Sequence, residues 1–294
     1  MKIAIFCFSG TGNTQKIADL YKGHFEDDGH QVEYFPIPLK NKVDFSAFDL
    51  IGIGYPIHGF NAPEPVLKFA KSLTRRDKKN PSRVFVFKSS GEPVKMSRVS
   101  SLKLISILKM RGYKVTNEYQ YVMPYNMIFR HTDHQAFVMW QTAQRLAKAD
   151  CKEILSGKER LEKKLFLGAV WAWIMRCEHW GAHIIGVGYR VDKNACISCG
   201  KCARECPVGN IKLVDGKPKF GGHCTICSKC SFYCPTNAIN TGLLNGWKVH
   251  GAYSFQDGDP NEDNGHFNYC KKAYERYFNE AEERIKATHS DSAK

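Results

Sequence analysis

The sequence predicts an α/β protein: a doubly wound, five-stranded parallel sheet, followed by a small α+β domain organised around cysteines. Three observations predict this. The chain opens with an apolar run, Lys2–Phe8, then the turn Ser9-Gly10-Thr11-Gly12-Asn13-Thr14, then Ile17, Leu20 and Tyr21 at helical spacing. Five strand-like runs alternate with helical ones over residues 1–157, as in sheets whose parallel strands are joined by crossover helices. Finally, Cys196-x2-Cys199-x2-Cys202-x3-Cys206-Pro207 recurs 28 positions later as Cys224-x2-Cys227-x2-Cys230-x3-Cys234-Pro235, an internal repeat of one supersecondary unit.

The elements follow in order. After the first strand–turn–helix unit, Gln31–Phe35 and the buried run Leu50–Gly54 read as the second and third strands. Pro63 opens a helix to about Leu73, and Arg83–Phe87 is a fourth strand followed by the loop Lys88–Pro93. Val99, Leu102, Ile105 and Leu108 mark a helix face that Gly112 caps, Lys114–Val122 is the fifth strand, and His134–Ser156 supplies the last covering helix. Residues 158–188 read as an apolar connecting helix, 189–243 as the cysteine domain, and 244–294 as an extension whose helix runs from about Phe267 to Lys286 on the outside. Within the cysteine domain, Ile211–Val214 and Lys217–Phe220 flank Asp215-Gly216, a hairpin signal.

The cysteine spacing carries chemistry. Three thiolates at period three wrap one side of an iron–sulfur cube, and the fourth cysteine of each run reaches the other cube. Cys196, Cys199, Cys202 and Cys234 are thereby expected on one 4Fe–4S cluster, and Cys224, Cys227, Cys230 and Cys206 on a second. Zinc sites use two separated cysteine pairs, and disulfide frameworks belong to small secreted chains. Cys7, Cys151, Cys177 and Cys270 stand alone and read as buried or half-buried thiols, and no histidine has metal-like spacing. A thiol-rich metal site implies a reducing, cytoplasmic compartment, and Met1–Phe6 starts directly in a strand with no signal-like segment.

The glycine-rich turn presents backbone N–H groups at a helix N-terminus, where a phosphate is favoured. It lacks the lysine of a Walker loop and the spacing of a dinucleotide fingerprint, so it suits a terminal monophosphate. The formal charge is +14, reduced by about four on binding two clusters and by roughly two more on binding a phosphate, with the excess in the N-terminal part. Such a charge favours acidic partners or an anionic surface. No nucleic-acid motif accompanies it.

Ser9–Thr14 matches the phosphate loop of flavodoxins, and together with the cysteine repeat the chain resembles the flavodoxin–ferredoxin fusion proteins of anaerobes over nearly its whole length. Met123-Pro124-Tyr125-Asn126 sits where that family carries a similar segment. The resemblance implies FMN, with its phosphate held by Ser9, Gly10, Thr11, Gly12, Asn13 and Thr14. It places Tyr55, Pro56, Ile57, His58 and Gly59, together with Ser89, Ser90 and Gly91, around the flavin ring. Tyr55 is the one aromatic candidate in those loops, with Phe60 or Tyr125 as substitutes for a second.

Leu165–Met175 is free of charge but is too short to span a bilayer, which needs roughly 20 residues. Being apolar all round, 165–187 is expected between the two domains; peripheral membrane contact through its tryptophans is the alternative. The function implied is electron transfer between FMN and two 4Fe–4S clusters, exchanged with redox proteins that are expected to be acidic. No side chain is needed as a catalytic acid, base or nucleophile, because cofactors carry the chemistry. Two alternatives stay open: an FMN-dependent oxidoreductase reducing a small acceptor such as a quinone, and a redox- or iron-sensing binding module.

Overall fold

A computed structural model describes residues 1–163, 165–262, 265 and 267–291. Five strands, β1 (Lys2–Cys7), β2 (Gln31–Pro36), β3 (Leu50–Pro56), β4 (Ser82–Ser90) and β5 (Tyr113–Val122), form one parallel sheet in the order β2-β1-β3-β4-β5. The register sets Cys7 against Gly54 and Gly54 against Phe87, so the carboxyl ends of β1, β3 and β4 come level. The strand order reverses at β1/β3, which is where open α/β sheets place their ligands.

Helices cover both faces. On one side α2 (Glu64–Ser72) and α3 (Leu102–Met110) bury Val66, Phe69, Leu104 and Leu108. On the other, α1 (Asn13–Asp27) and α4 (Asp133–Leu155) bury Ile17, Tyr21, Ala143 and Leu146. Thr132 and Gln135 form a reciprocal capping box that starts α4. Glycine in β3 is a packing requirement. A Cβ on Gly52 would lie 2.4 Å from the Phe85 ring and one on Gly54 2.2 Å from the Phe87 ring, so the two glycines make room for aromatics of β4. The fourth strand extends past Phe87 through Ser90, because Lys88 is wholly buried and pairs with Glu162 at 2.5 Å.

After α4 the chain runs back along the edge of β5, where Glu118 N–H donates to the Arg160 carbonyl at 2.7 Å and Arg160 N–H donates to Thr116 at 2.9 Å. This covers an otherwise open sheet edge. Two short helices follow, α5 (Gly168–Ile174) and α6 (Cys177–Val187). The expectation that this stretch is buried between domains is corrected. Trp173 is 67% exposed, Trp180 78% and Ile184 76%. The buried positions are instead small: Gly168, Ala172, Ala182 and Gly186. Cys177 is exposed as well, unlike the other three isolated cysteines.

The cysteine region has twofold internal symmetry. Strand β6 (Arg190–Val191) pairs antiparallel with β9 (Ile239–Asn240), and β7 (Ile211–Val214) with β8 (Lys217–Phe220). The hairpin turn is the expected Asp215-Gly216, both residues at positive φ. One-turn helices α7 (Lys201–Arg204) and α8 (Lys229–Phe232) sit 28 positions apart. The final helix, α9 (Lys271–Asp291), does not lie on the outside as expected. Tyr274 packs with Val122 and Met139, while Ala281 and Ile285 join the core beneath α4. Residues 292–294 lie outside the described part.

Candidate functional site

The two cysteine loops share a backbone. Left-handed residues recur at Ser198 and Ile226, at Gly200 and Ser228, and at Gly209 and Asn237, each pair 28 positions apart. Left-handed turns let the chain curl tightly enough for thiols three residues apart to face one centre. Cys196, Cys199, Cys202 and Cys234 line one cavity, with Cys230 of the second run at its wall. Cys206 lies within electrostatic reach of Cys224, Cys227 and Cys230. The fourth cysteine of each run therefore stands with the other run's first three.

Backbone amides point at sulfur in matching places. Asn210 N–H donates to Cys206 Sγ at 3.2 Å and Ala238 N–H donates to Cys234 Sγ at 3.3 Å, while Ile226 N–H donates to Cys224 Sγ at 3.4 Å. Such bonds suit thiolates and raise the reduction potential of a bound cluster. Burial, followed by the neighbouring thiols, opposes ionisation in the second group: Cys227 is pushed up to about 11 and Cys230 further. Iron supplies the positive charge that reverses this, so assembly releases protons. Among the described residues no three His, Cys, Asp or Glu side chains converge as ligands of a single ion. The four thiols of the first group ring a cavity instead, which fits a cube. Tyr189, whose Oη is buried with no hydrogen-bond partner among the described residues, stands beside Cys224, Cys227 and Cys230. A sulfur acceptor in the second centre would satisfy it.

The second candidate site is an open cleft at the carboxyl ends of β1, β3 and β4. Ser9, Gly10, Thr11, Asn13 and Thr14 line one end, and Pro56, Ile57 and His58 face Ser89, Ser90 and Gly91 across it. Ser9 Oγ accepts from Gly12 N–H at 3.1 Å and closes the turn, which leaves amides at the start of α1 for an anion. Thr14 and Ser89 hydroxyls bond at 2.7 Å; Asn13 donates to the Pro124 carbonyl at 2.7 Å and Asn126 to Thr11 Oγ1 at 3.0 Å. These bonds fix the loop against the segment Met123–Asn126.

Three expected residues stand off the cleft. Tyr55 is fully buried in the core with Ile51 and Ile53, the other residues of its strand face. Its alternation with those isoleucines is the signal that places it there. Gly12 sits behind the loop under Tyr233, and Gly59 under the Glu178 side chain. Tyr125 lines the cleft, with its ring so close to Gly91 that a Cβ there would meet it at 2.2 Å, and it stacks on His131 at 5.5 Å. Phe60 turns away toward Trp171.

Sequence reasoning missed two cleft residues. Glu178 comes from α6, and burial alone pushes its carboxyl up to about 7. Ile226 comes from the second cysteine loop. Burial, helped by His179, brings His58 down to about 4. The two centres also touch. A Cβ on Gly10 would lie 2.2 Å from the Cys227 carbonyl oxygen, and Tyr233, between Cys230 and Cys234, donates to the Thr11 carbonyl at 2.6 Å. The residues present thus fit FMN in the cleft and clusters at the thiols.

Comparison with known proteins gives one family match and several similar solved structures. Residues 189–212 match the 4Fe-4S binding domain family, a span containing the first cysteine run. Among solved structures, an archaeal flavodoxin is 16% identical, covering 53% of this chain and 99% of its own, with a TM-score of 0.36. Flavodoxin 2 of Bacillus cereus is 25% identical over 41% of this chain and 83% of its own, TM-score 0.35. The two-electron reduced flavodoxin of Megasphaera elsdenii is 20% identical over 51% and 98%, TM-score 0.36. No curated protein matches the sequence. The strand order β2-β1-β3-β4-β5 is the flavodoxin-like one in its own right, so the chain joins a flavodoxin-like α/β domain to a 4Fe–4S binding domain.

Proposed function

We propose that this chain is an electron-transfer protein that relays electrons between FMN in the cleft and two 4Fe–4S clusters at the crosswise cysteine sets. The observation that carries the reading is the contact of the glycine-rich loop with the second cysteine loop, where Gly10 lies against the Cys227 carbonyl and Ile226 enters the cleft. That contact puts the set Cys206, Cys224, Cys227 and Cys230 next to the cleft. The set around Cys196 lies beyond it, with Cys199 exposed. FMN when bound supplies one- and two-electron chemistry, and the clusters pass single electrons. The residues' part is positional. Ser9, Thr11 and the α1 amides seat the phosphate, Tyr125 and the Ile57–His58 loop hold the ring, and Tyr233 ties the two loops together. The charge of +14 favours acidic redox partners, and the free thiols suit a reducing cytoplasm.

The test is anaerobic purification with flavin, iron and sulfide counted per chain. The expected result is one FMN and about eight iron and eight sulfide. A preparation holding zinc, or about four iron after full reconstitution, would overturn the relay.

One observation favours a second reading, reduction of a small acceptor such as a quinone at the cleft. Glu178 places a carboxyl that titrates near neutral pH in the wall of the flavin site, as proton delivery to an acceptor requires. Multiple turnovers with a quinone, lost in Glu178→Gln with FMN still bound, would favour it; single-turnover exchange with protein partners alone would favour the relay.

A further inference from the structure

We propose that the outer face of residues 166–187 binds the surface of an anionic lipid bilayer. The proposal stands on exposed side chains and charge and does not depend on the relay. Phe166, Val170, Trp173, Trp180, Ile184 and Val187 are 95%, 52%, 67%, 78%, 76% and 51% exposed. Val170 and Trp173 in α5, and Trp180, Ile184 and Val187 in α6, follow steps of three or four, each set on one side of its own helix. Arg176 N–H donates to the Trp173 carbonyl at 3.3 Å and Glu178 N–H to the Met175 carbonyl at 3.2 Å, tight turns that carry α5 into α6.

The inner face is fixed by glycines, so the tryptophans have no alternative buried orientation. A Cβ on Gly168 would meet Val99 at 2.6 Å and one on Gly186 would meet Cys224 Cβ at 2.0 Å. Turning either helix to bury its large residues would drive bulk into those two contacts. Helices of 7 and 11 residues lie on a membrane rather than cross it, and no helix among the described residues is long and apolar enough to span one.

Charge selects the occupant. Residues 158–190 hold six Lys and Arg against three acids. Glu159 pairs with Lys114, Glu162 with Lys88, and Glu178 turns into the cleft, while Lys158 and Arg160 share Glu153. Lys163 and Arg190 are exposed at the two ends of the stripe. Tryptophan over an apolar stripe with flanking cations is the composition of an interfacial helix. The formal charge of +14 opposes a second copy of the chain on this face and attracts anionic headgroups.

The test uses the full chain with its cofactors loaded anaerobically, sedimented with vesicles of equal parts phosphatidylglycerol and phosphatidylcholine and with vesicles of phosphatidylcholine alone. Pelleting with the first, at least about tenfold stronger than with the second and weakened by salt, is expected. The double variant Trp173→Ser/Trp180→Ser should bind the first vesicles about tenfold more weakly with unchanged flavin and iron content. Trp140, which packs against Phe255 away from this face, supplies the control Trp140→Phe, which should bind like the parent. Absence of pelleting, pelleting indifferent to the double variant, or a solution dimer that the double variant dissociates would each overturn the proposal.

Discussion

Glu178 and His58 line the same cleft and respond to pH in opposite directions. Burial raises the folded-state value of Glu178 from 4.5 to about 7. The protein therefore favours the neutral carboxyl; the stability tied to this preference is present below about 4.5 and is lost as pH rises through 7. Burial first, then the charge of His179, lowers His58 from 6.5 to about 4 against an opposing hydrogen bond that the ring donates to the Thr225 backbone. Its contribution is present above about 6.5 and lost as pH falls toward 4. Between those values the two pH slopes nearly cancel, and substituting one group exposes the slope of the other. On the flavin-free chain, Glu178→Gln should be more stable than the parent at pH 8 by up to about 3 kcal/mol, because each tenfold change in proton affinity is worth about 1.4 kcal/mol, and equal to it near pH 4. Urea unfolding at both pH values measures this; an equal gain at both would show that the carboxyl keeps its ordinary value. Tyr55 makes the complementary point. Its hydroxyl is buried beside Ser100 and Ser101, in the core rather than the cleft, so the aromatic beside the cleft is Tyr125.

The cysteine loops, α1 and the α5–α6 pair decide how the two halves meet. Gly10 is a rigid point of contact, since a methyl there would press on backbone, which cannot swing aside as a side chain can. Gly10→Ala should therefore weaken FMN binding by about tenfold, roughly 1.4 kcal/mol, while iron content holds. Gly23, mid-helix in α1, has nothing within 4 Å of a built Cβ; Gly23→Ala should stabilise the chain by about 0.5–1 kcal/mol. Flavin titration and thermal melts on the two variants separate crowding from helix propensity, and a neutral Gly10→Ala would mean that the loops part freely. The contrast shows which elements the sequence made legible. The Asp215-Gly216 hairpin and the 28-residue repeat are short-range chemistry, in which residue type and spacing alone set the backbone. The direction in which α5 and α6 face is not. Hydropathy ranks Trp173 and Trp180 as core, whereas the partners of Gly168 and Gly186 are Val99 and Cys224, distant in sequence. Glu178 and Ile226 went unseen for the same reason, since tertiary contact alone brings them to the cleft.

At the scale of the whole molecule, the loops at the carboxyl ends of the sheet, α6 and the second cysteine loop line one cleft, and the C-terminal helix backs it. The last is the least expected. Tyr274 Oη donates to the Gly91 carbonyl, Arg276 donates to the Pro93 carbonyl at 3.0 Å, and Tyr277 Oη accepts from Val122 N–H at 3.1 Å. Arg284 pairs with buried Asp150, which also accepts from Tyr121. The helix thus holds the loop after β4 from behind while Tyr125 holds it from the front. Removing residues 271–294 would uncover Val122, Met139 and the floor under Ala281 and Ile285, and would leave Asp150 without its cation. A loss on the order of 4 kcal/mol follows from opening the core and stranding a buried charge. FMN affinity should fall with it, because the Ser89–Gly91 wall loses its support. The milder Tyr274→Phe keeps the ring and removes the hydroxyl with its bonds to the Gly91 carbonyl and to His131 Nε2, so it should lower FMN affinity several-fold at a cost of about 1 kcal/mol in stability. Flavin titration of that variant is the decisive measurement. An unchanged affinity would make α9 a structural cover alone, whereas a weakened one would make the C-terminus part of the flavin site.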